Sequence, residues 1–177
     1  AEQNIANQQQ QAEQIEQSKI DKTNKPLNDD QKNNILHIYN STGEKRVFLT
    51  FDDGPTRAVT PFMLDLLKQE NIKASFFLIG SNAEKNPDLV RREYNEGHYI
   101  GNHGYTHKYE KVYSSPQATL DEYNKTQQVI RDAIGNQSYE CNVFRFPGGS
   151  NGGRYDYQKQ LSKEYLLQNG IVHLDWN

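Results

Sequence analysis

The chain contains the run Val47-Phe48-Leu49-Thr50-Phe51-Asp52-Asp53-Gly54-Pro55. Five β-prone residues are followed by two carboxylates and a Gly-Pro pair, which predicts a buried strand that ends in a turn. Adjacent carboxylates repel each other unless a cation lies between them. The pair at the end of this strand therefore indicates a bound metal ion, although Asp-Asp-Gly-Pro is also an ordinary turn sequence.

The rest of the chain alternates between strand and helix patterns. Further strands are predicted over residues 74–79, 98–101, 143–145 and 171–174, and helices over 61–69, 87–96, 116–134 and 158–168. Thr60 is the expected cap of the first helix, and Gly135 ends the third. This alternation predicts an α/β fold with a parallel sheet. Because these strands are too few to close a barrel of seven or eight, we expect either a fragment of a barrel or an open sheet.

Composition narrows the class of protein. The 177 residues, 34% hydrophobic and 24% charged, suffice for one domain and a tail. A net charge of -3 gives no reason to expect a nucleic-acid partner. No apolar run approaches the ~20 residues of a membrane-spanning helix. The single cysteine, Cys141, excludes an internal disulfide and a multi-cysteine zinc site.

The beginning of the chain differs in composition from the rest. Residues 1–34 contain eight Gln, six Asn and no aromatic residue, so they can bury little apolar surface. We interpret residues 1–40 as a polar tether or linker and residues 41–177 as the folded domain.

Two histidines, His103 and His107, lie four positions apart. This spacing places both imidazoles on one side of a helical turn or tight loop, where they can bind one ion, although such pairs also arise by chance on surfaces. Position 104 is Gly, so the His-Glu-x-x-His motif of metalloproteases is absent. Two histidines and one aspartate form a three-ligand face with open positions for water and substrate, which is typical of hydrolysis.

Four motifs occur in a fixed order, at residues 50–54, 103–107, 145–149 and 175–176. Together they resemble those of the NodB-homology polysaccharide deacetylases, carbohydrate esterase family 4, and the resemblance extends from about Arg46 to Asn177. It implies a deformed (β/α) barrel and a hydrolase that removes N-acetyl groups from N-acetylglucosamine polymers. Peptidoglycan is the expected substrate, with chitin-like oligomers as a surrogate, and the expected location is extracellular or on the cell surface.

The resemblance also implies the residues that carry the chemistry. Asp52 would be the catalytic base, and Arg145 would pair with Asp52 and orient it. Asp53, His103 and His107 would hold the metal. We expect Zn²⁺, because imidazole and carboxylate ligands suit it, although Co²⁺ or another divalent cation fits the same ligands.

The third motif, Arg-Phe-Pro-Gly, departs from the Arg-Pro-Pro-Tyr that is common in relatives. The resemblance implies that the backbone N–H of Gly148 polarises the acetyl carbonyl, a role that needs no side chain. Pro147 and Trp176 would contact the substrate, with Trp176 lining the acetyl pocket. Asp175 would tune a distal histidine that acts as the catalytic acid.

Family members carry a fifth motif, Leu-x-His, whose histidine protonates the leaving amine. The sequence reaches Asn177 without this motif, so we expect the domain to be incomplete at its C-terminus. His173 is interpreted as an ordinary strand histidine. Two other functions stay open: a carbohydrate-binding protein without catalytic activity, and a deacetylase of xylan esters, whose alkoxide leaving group demands less of an acid.

Two further groups of residues lie near the motifs in the sequence: three tyrosines and a glycine-rich stretch. Tyr105, Tyr109 and Tyr113, spaced by four residues, either form a sugar-stacking platform or pack in the ordinary way. Residues 150–153 are rich in glycine but lack the Lys-Ser/Thr of a phosphate-binding loop, so we interpret them as a loop at the rim of the site.

Overall fold

The computed structural model describes residues 47–176, in which five parallel strands form one sheet. The strands are β1 (Thr50–Asp52), β2 (Ser75–Leu78), β3 (Tyr99–Asn102), β4 (Val143–Phe144) and β5 (Val172–His173). Each strand pairs with the next one in the chain, in the order β1-β2-β3-β4-β5. A strand order that follows the order of the strands in the chain is that of a (β/α) barrel. In open doubly wound sheets, by contrast, the strand order reverses at a switch point.

Helices occupy the connections between the strands. They are α1 (Thr60–Gln69), α2 (Gly80–Lys85), α3 (Pro87–Asn95), α4 (Tyr109–Val112), α5 (Pro116–Ile134) and α6 (Asp156–Gln168). The bounds of α5 confirm the prediction, and Gly135 ends it with a φ of 72°. The two shortest helices, α2 and α4, were not predicted, because four to six residues show no helical period. Among the described helices, none has both the length and the apolar character needed to cross a membrane.

The start of the first strand differs from the prediction. Val47 and Phe48 are 82% and 72% exposed, and β1 begins only at Thr50. All three residues of β1 are partly exposed, because β1 lies at the edge of the described sheet and pairs only with β2. The prediction of a buried strand from Val47 is therefore wrong for its first residues.

The predicted cap of α1 is also wrong. Thr60 is the first residue of the helix, and Val59 occupies the cap position without a side-chain hydrogen bond. The Thr60 hydroxyl oxygen instead accepts the backbone N–H of Thr56, at 2.9 Å. Its hydroxyl therefore stabilises the turn before α1. The tether predicted over residues 1–40 lies outside the described residues.

The side chains on the two faces of β2 pack against different parts of the protein. Phe76 and Leu78 belong to a core cluster with residues of α1, α3 and α5. Phe77, which is fully buried, points to the opposite face because side chains alternate along a strand. Gly101 of β3 lies beside it, and a Cβ there would approach the Phe77 ring to 2.6 Å. Gly101 therefore leaves the space that the Phe77 ring fills beneath Arg145.

A buried carboxyl in α3 makes the stability of the domain depend on pH. The side chain of Glu93 is fully buried, and neither carboxylate oxygen has a hydrogen-bond partner among the described residues. Burial raises the pKa of Glu93 from 4.5 to about 8. Between these values the unfolded chain releases the proton and the folded chain keeps it. The contribution of Glu93 to the free energy of unfolding is therefore expected to fall by up to about 1.4 kcal/mol per pH unit as the pH rises through this range.

Denaturant unfolding between pH 5 and pH 8 measures this effect. Glu93→Gln keeps the size of the side chain and removes its titration, so its stability should vary less over the same range. Glu110, which is exposed on α4, offers a matched control in Glu110→Gln. The same pH dependence in the Glu93→Gln protein and the unsubstituted chain would contradict the assignment.

Candidate active site

The residues of the four motifs meet at one edge of the sheet. Asp52 ends β1 and Asp53 follows it, His103 follows β3, Arg145 follows β4, and Asp175 follows β5 by two residues. All five strands run in the same direction, so their carboxyl ends lie at the same edge. Side chains that are far apart in sequence are thereby placed together.

Three side chains of the motifs, those of Asp53, His103 and His107, direct their ligand atoms toward one point. Asp53 Oδ1 lies 3.4 Å from His103 Nε2 and 3.3 Å from His107 Nε2. The three ligand atoms all lie within 4.8 Å of one another, and no other such group of three is found in residues 47–176. The His103 side chain is almost fully buried, whereas that of Asp53 is 64% exposed. The group is therefore anchored in the protein and open to solvent on one side.

This arrangement fits a divalent cation. Two ligand atoms bound at about 2.0–2.1 Å to a tetrahedral ion lie about 3.3–3.4 Å apart, which matches the two separations from Asp53 Oδ1. His103 Nδ1 lies 2.6 Å from the carbonyl oxygen of Arg145, to which it donates when protonated. The lone pair of His103 is then on Nε2, which faces Asp53. Burial lowers the pKa of His103, which favours the neutral, ligating form.

The backbone at two of the ligands has an unusual conformation. Asp53 has a φ of 68° and His107 a φ of 57°, in the left-handed region that non-glycine residues rarely adopt. Such conformations persist when surrounding contacts hold them. For Asp53, one of these contacts is Asn82 Nδ2, which donates to the Asp53 carbonyl oxygen at 2.9 Å.

A buried ion pair lies beside the ligands. Arg145 Nη1 donates to Asp52 Oδ1 at 2.9 Å and to Thr50 Oγ1 at 2.8 Å, and Nε donates to the Leu174 carbonyl oxygen at 3.0 Å. The guanidinium also lies 3.8 Å from the centroid of the Phe77 ring. The Arg145 side chain is 2% exposed and that of Asp52 is 26% exposed. The arginine thus fixes the carboxylate while leaving it accessible.

The loop after Arg145 is held by contacts that the sequence did not reveal. Tyr113 Oη donates to the Pro147 carbonyl oxygen at 2.6 Å. Asp175 accepts the backbone N–H of Ser150 at 3.0 Å and its hydroxyl at 2.6 Å. Asp175 therefore anchors this loop at Ser150, while Tyr113 holds it at Pro147. Ser150 was interpreted only as part of a rim loop, because a serine in a glycine-rich stretch carries no sequence signal for such a contact.

The backbone at Gly148 passes close to an aromatic side chain. Gly148 has a φ of 73°, and a Cβ there would lie 2.8 Å from Cζ of Tyr109 and closer still to its hydroxyl oxygen. Glycine therefore suits this position both in conformation and in space. Trp176, half exposed, lies near the neighbouring Gly149, where a Cβ would be 3.8 Å from the indole ring.

The three tyrosines near the site do not form one platform. Tyr113 is 1% exposed and belongs to a core cluster around β4. The Tyr105 hydroxyl donates to Glu84, and Lys125 lies over the Tyr105 ring. Only Tyr109, 38% exposed and 5.7 Å from the His107 ring, combines exposure with a place beside the ligands. Of the two alternatives, ordinary packing is confirmed for Tyr113, and a platform of all three tyrosines is wrong.

A cavity of about 230 Å³ opens beside Asp52 and Asp53. Its other walls are mainly apolar side chains and backbone of β1, the following turn, α1 and β2, namely Phe51, Gly54, Thr56, Val59, Thr60, Met63 and Phe76. The residues expected to contact the substrate, Pro147, Gly148 and Trp176, do not line this cavity. Asp53 therefore belongs to the metal-ligand group and also borders this cavity.

Comparison with known proteins agrees with this geometry. The family description that matches residues 39–166 is polysaccharide deacetylase. A peptidoglycan-N-acetylglucosamine deacetylase of Listeria monocytogenes is 38% identical over 135 residues, which cover 75% of this chain and 27% of the relative. A second protein of the same description from Bacillus cereus is 42% identical over 138 residues, or 78% of this chain and 47% of the relative.

Solved structures show the same fold. A polysaccharide deacetylase from Bacillus cereus matches with a TM-score of 0.64 and 37% identity over 76% of this chain and 61% of that one. An esterase of carbohydrate esterase family 4 from Streptococcus mutans matches with a TM-score of 0.68 and 33% identity over 82% and 60%. The chain thus spans less than two thirds of these proteins. The predicted barrel type is confirmed, and the chain belongs to the polysaccharide deacetylase family.

Proposed function

We propose that this chain hydrolyses the N-acetyl groups of N-acetylglucosamine units in peptidoglycan, using a divalent cation held by Asp53, His103 and His107. The observation that carries the proposal is the convergence of these three ligand atoms next to the Asp52–Arg145 pair. The relatives named above are described as peptidoglycan-N-acetylglucosamine deacetylases, which favours this substrate. A peptidoglycan substrate also favours an extracellular or cell-surface location.

In the proposed reaction, Asp52 is the general base. A divalent cation held by Asp53, His103 and His107 would supply Lewis-acid polarisation and would lower the pKa of a nearby water. One carboxylate oxygen of Asp52 accepts a proton from the attacking water, while Arg145 Nη1 holds Oδ1 in place. Overall, the hydroxyl of water is added to the acyl carbon, the bond between that carbon and the amide nitrogen breaks, and the proton of water reaches the departing amine nitrogen. Asp52 must therefore pass on the proton that it accepts.

The loop after β4 is the proposed substrate side of the site. The backbone N–H of Gly148 would donate to the oxygen that becomes negative as water attacks. Pro147 and Trp176 would contact the acetyl group, and Trp176 is exposed enough to do so. Asp175 would keep this loop in position through Ser150, whose N–H and hydroxyl it accepts. This loop is held from both ends, because Tyr113 donates to Pro147.

Acetate release from N-acetylglucosamine oligomers tests the proposed function. We expect the 177-residue chain to release acetate when supplied with Zn²⁺ or Co²⁺, and to lose this activity in a chelator such as EDTA, because the cation is part of the site. Activity should return on adding back the metal. Acetylated xylan serves as a parallel substrate to separate amide from ester hydrolysis.

Three outcomes would contradict the proposal. Equal release with and without chelator would exclude a metal-dependent reaction, and release from xylan alone would identify an ester deacetylase. Binding of the oligomers by a folded, metal-loaded chain that releases no acetate would instead support a carbohydrate-binding protein without catalytic activity.

A further inference from the structure

We propose that Glu122 is a positioning residue that holds the loop between His103 and His107 in the conformation that brings both imidazoles to one cation. The inference rests on the metal site of the proposed function and adds a residue that lies outside the four motifs. Glu122 is part of α5, fifteen positions after His107 in the sequence. It is not one of the three ligands.

The Glu122 carboxylate accepts three hydrogen bonds from this loop. Oε2 accepts the backbone N–H of Tyr105 at 2.7 Å and that of Thr106 at 2.6 Å. Oε1 accepts the hydroxyl of Thr106 at 2.8 Å. Hydrogen bonds to an ionised acceptor are roughly twice as strong as neutral ones. One side chain of α5 thus binds the middle of the five-residue segment that begins and ends with a histidine.

Other contacts hold the first half of the same loop. Asn102 Oδ1 accepts the N–H of Gly104 at 3.0 Å. The carbonyl oxygens of Gly104 and Tyr105 accept the backbone N–H groups of Gly80 and Ser81 at 2.9 and 3.0 Å. These contacts come from β3 and the start of α2, and they do not reach Thr106. His103 is fixed separately, because it is buried and bonded to the Arg145 carbonyl oxygen.

The second half of the loop depends on Glu122. Thr106 directly precedes His107, and both its backbone N–H and its hydroxyl donate to Glu122. His107 has a φ of 57°, a conformation that side-chain-bearing residues rarely adopt without support. Loss of the Glu122 contacts would let Thr106 and His107 relax. The His107 imidazole would then turn away from Asp53, while His103 stays in place.

Co²⁺ titration of the full chain, followed by visible absorption, tests this assignment. Glu122→Ala is expected to weaken Co²⁺ binding by about 10- to 100-fold and to change the absorption spectrum, because one imidazole is no longer directed at the ion. Glu122→Gln should retain most of the affinity. Its amide oxygen can accept the two backbone N–H groups, and its amide NH₂ can donate to the Thr106 hydroxyl oxygen.

Two further variants complete the experiment. Thr106→Val removes the hydroxyl, which donates to Glu122 and also accepts the backbone N–H of Lys108 at 3.2 Å, but it keeps both backbone N–H groups that donate to Glu122. This variant should therefore give an intermediate affinity. Asp121→Ala is the matched control, because Asp121 is the exposed neighbour of Glu122 and accepts from Gln117 on its own helix. Its Co²⁺ affinity and spectrum should equal those of the unsubstituted chain.

The outcomes separate this inference from the proposed function. If Glu122→Ala folds, loses thermal stability and still binds Co²⁺ with unchanged affinity and spectrum, Glu122 is merely structural and the inference fails. If that variant does not fold, unchanged Co²⁺ binding by Thr106→Val overturns it. Failure of the unsubstituted chain to bind Co²⁺ would overturn the metal site itself, and the inference with it.

Discussion

Asp52→Asn is expected to lower the rate of acetate release by about 10²- to 10⁴-fold, the range typical for loss of a general base. Asparagine has nearly the same size as aspartate, and its side-chain oxygen can still accept from Arg145 Nη1. It cannot accept the proton of the attacking water. The measurement is kcat/KM for N-acetylglucosamine oligomers with saturating metal.

Metal binding should be retained in the same variant. Asp52 is not among the three ligand atoms that converge, so Zn²⁺ titration by calorimetry should give an affinity close to that of the unsubstituted chain. Asp88→Asn is a suitable control, because Asp88 is an exposed carboxylate that pairs with Arg57 away from the motifs. Full activity in Asp52→Asn would show that Asp52 is not the base. Loss of both activity and metal would indicate a ligand instead.

Arg145→Met is expected to have the largest effect on stability of any single change considered for the site. Removing one partner of a buried ion pair costs about 3–5 kcal/mol, because the other charge loses its compensation. The value should fall toward the lower end of this range, since Asp52 is 26% exposed and water screens part of its charge. Urea unfolding at neutral pH measures the loss.

Arg145→Lys separates charge from geometry. Lysine keeps a positive charge but cannot reproduce the planar set of donors that reaches Asp52, Thr50 and the Leu174 carbonyl oxygen together. This variant should therefore be more stable than Arg145→Met and still release acetate more slowly than the unsubstituted chain. Arg57→Met breaks an exposed ion pair and should change stability much less. Equal losses in Arg57→Met and Arg145→Met would contradict the role of burial.

Several parts of the fold could be predicted because local signals agree with the tertiary structure. The bounds of α5 follow from Pro116 at its first turn and Gly135 at its end, both of which act through their own backbone. The parallel sheet follows from the alternation of strand and helix patterns. In contrast, the burial of β1 was predicted wrongly, because burial depends on how many neighbours a strand has.

In the candidate site, too, some features could be predicted from the sequence and others could not. The spacing of His103 and His107 and the pair of carboxylates at the carboxyl end of β1 indicated a metal site from residue types alone. No such signal indicated the contact of Arg145 with the Leu174 carbonyl oxygen, the anchoring of Ser150 by Asp175 or the contact of Glu122 with the histidine loop. Each of these contacts joins residues of ordinary type that lie more than ten positions apart.

The sequence by itself determined the class of fold, the order of its elements and the residue types that meet at the carboxyl edge of the sheet. These properties follow from periodicity, turn residues and ligand chemistry, which act over a few neighbouring positions. Only the tertiary structure decided which atoms face each other. The contacts of Arg145 with Thr50 and with the Leu174 carbonyl oxygen arise when strands and helices pack, as does the support of the histidine loop by Glu122, and packing is a property of the whole chain.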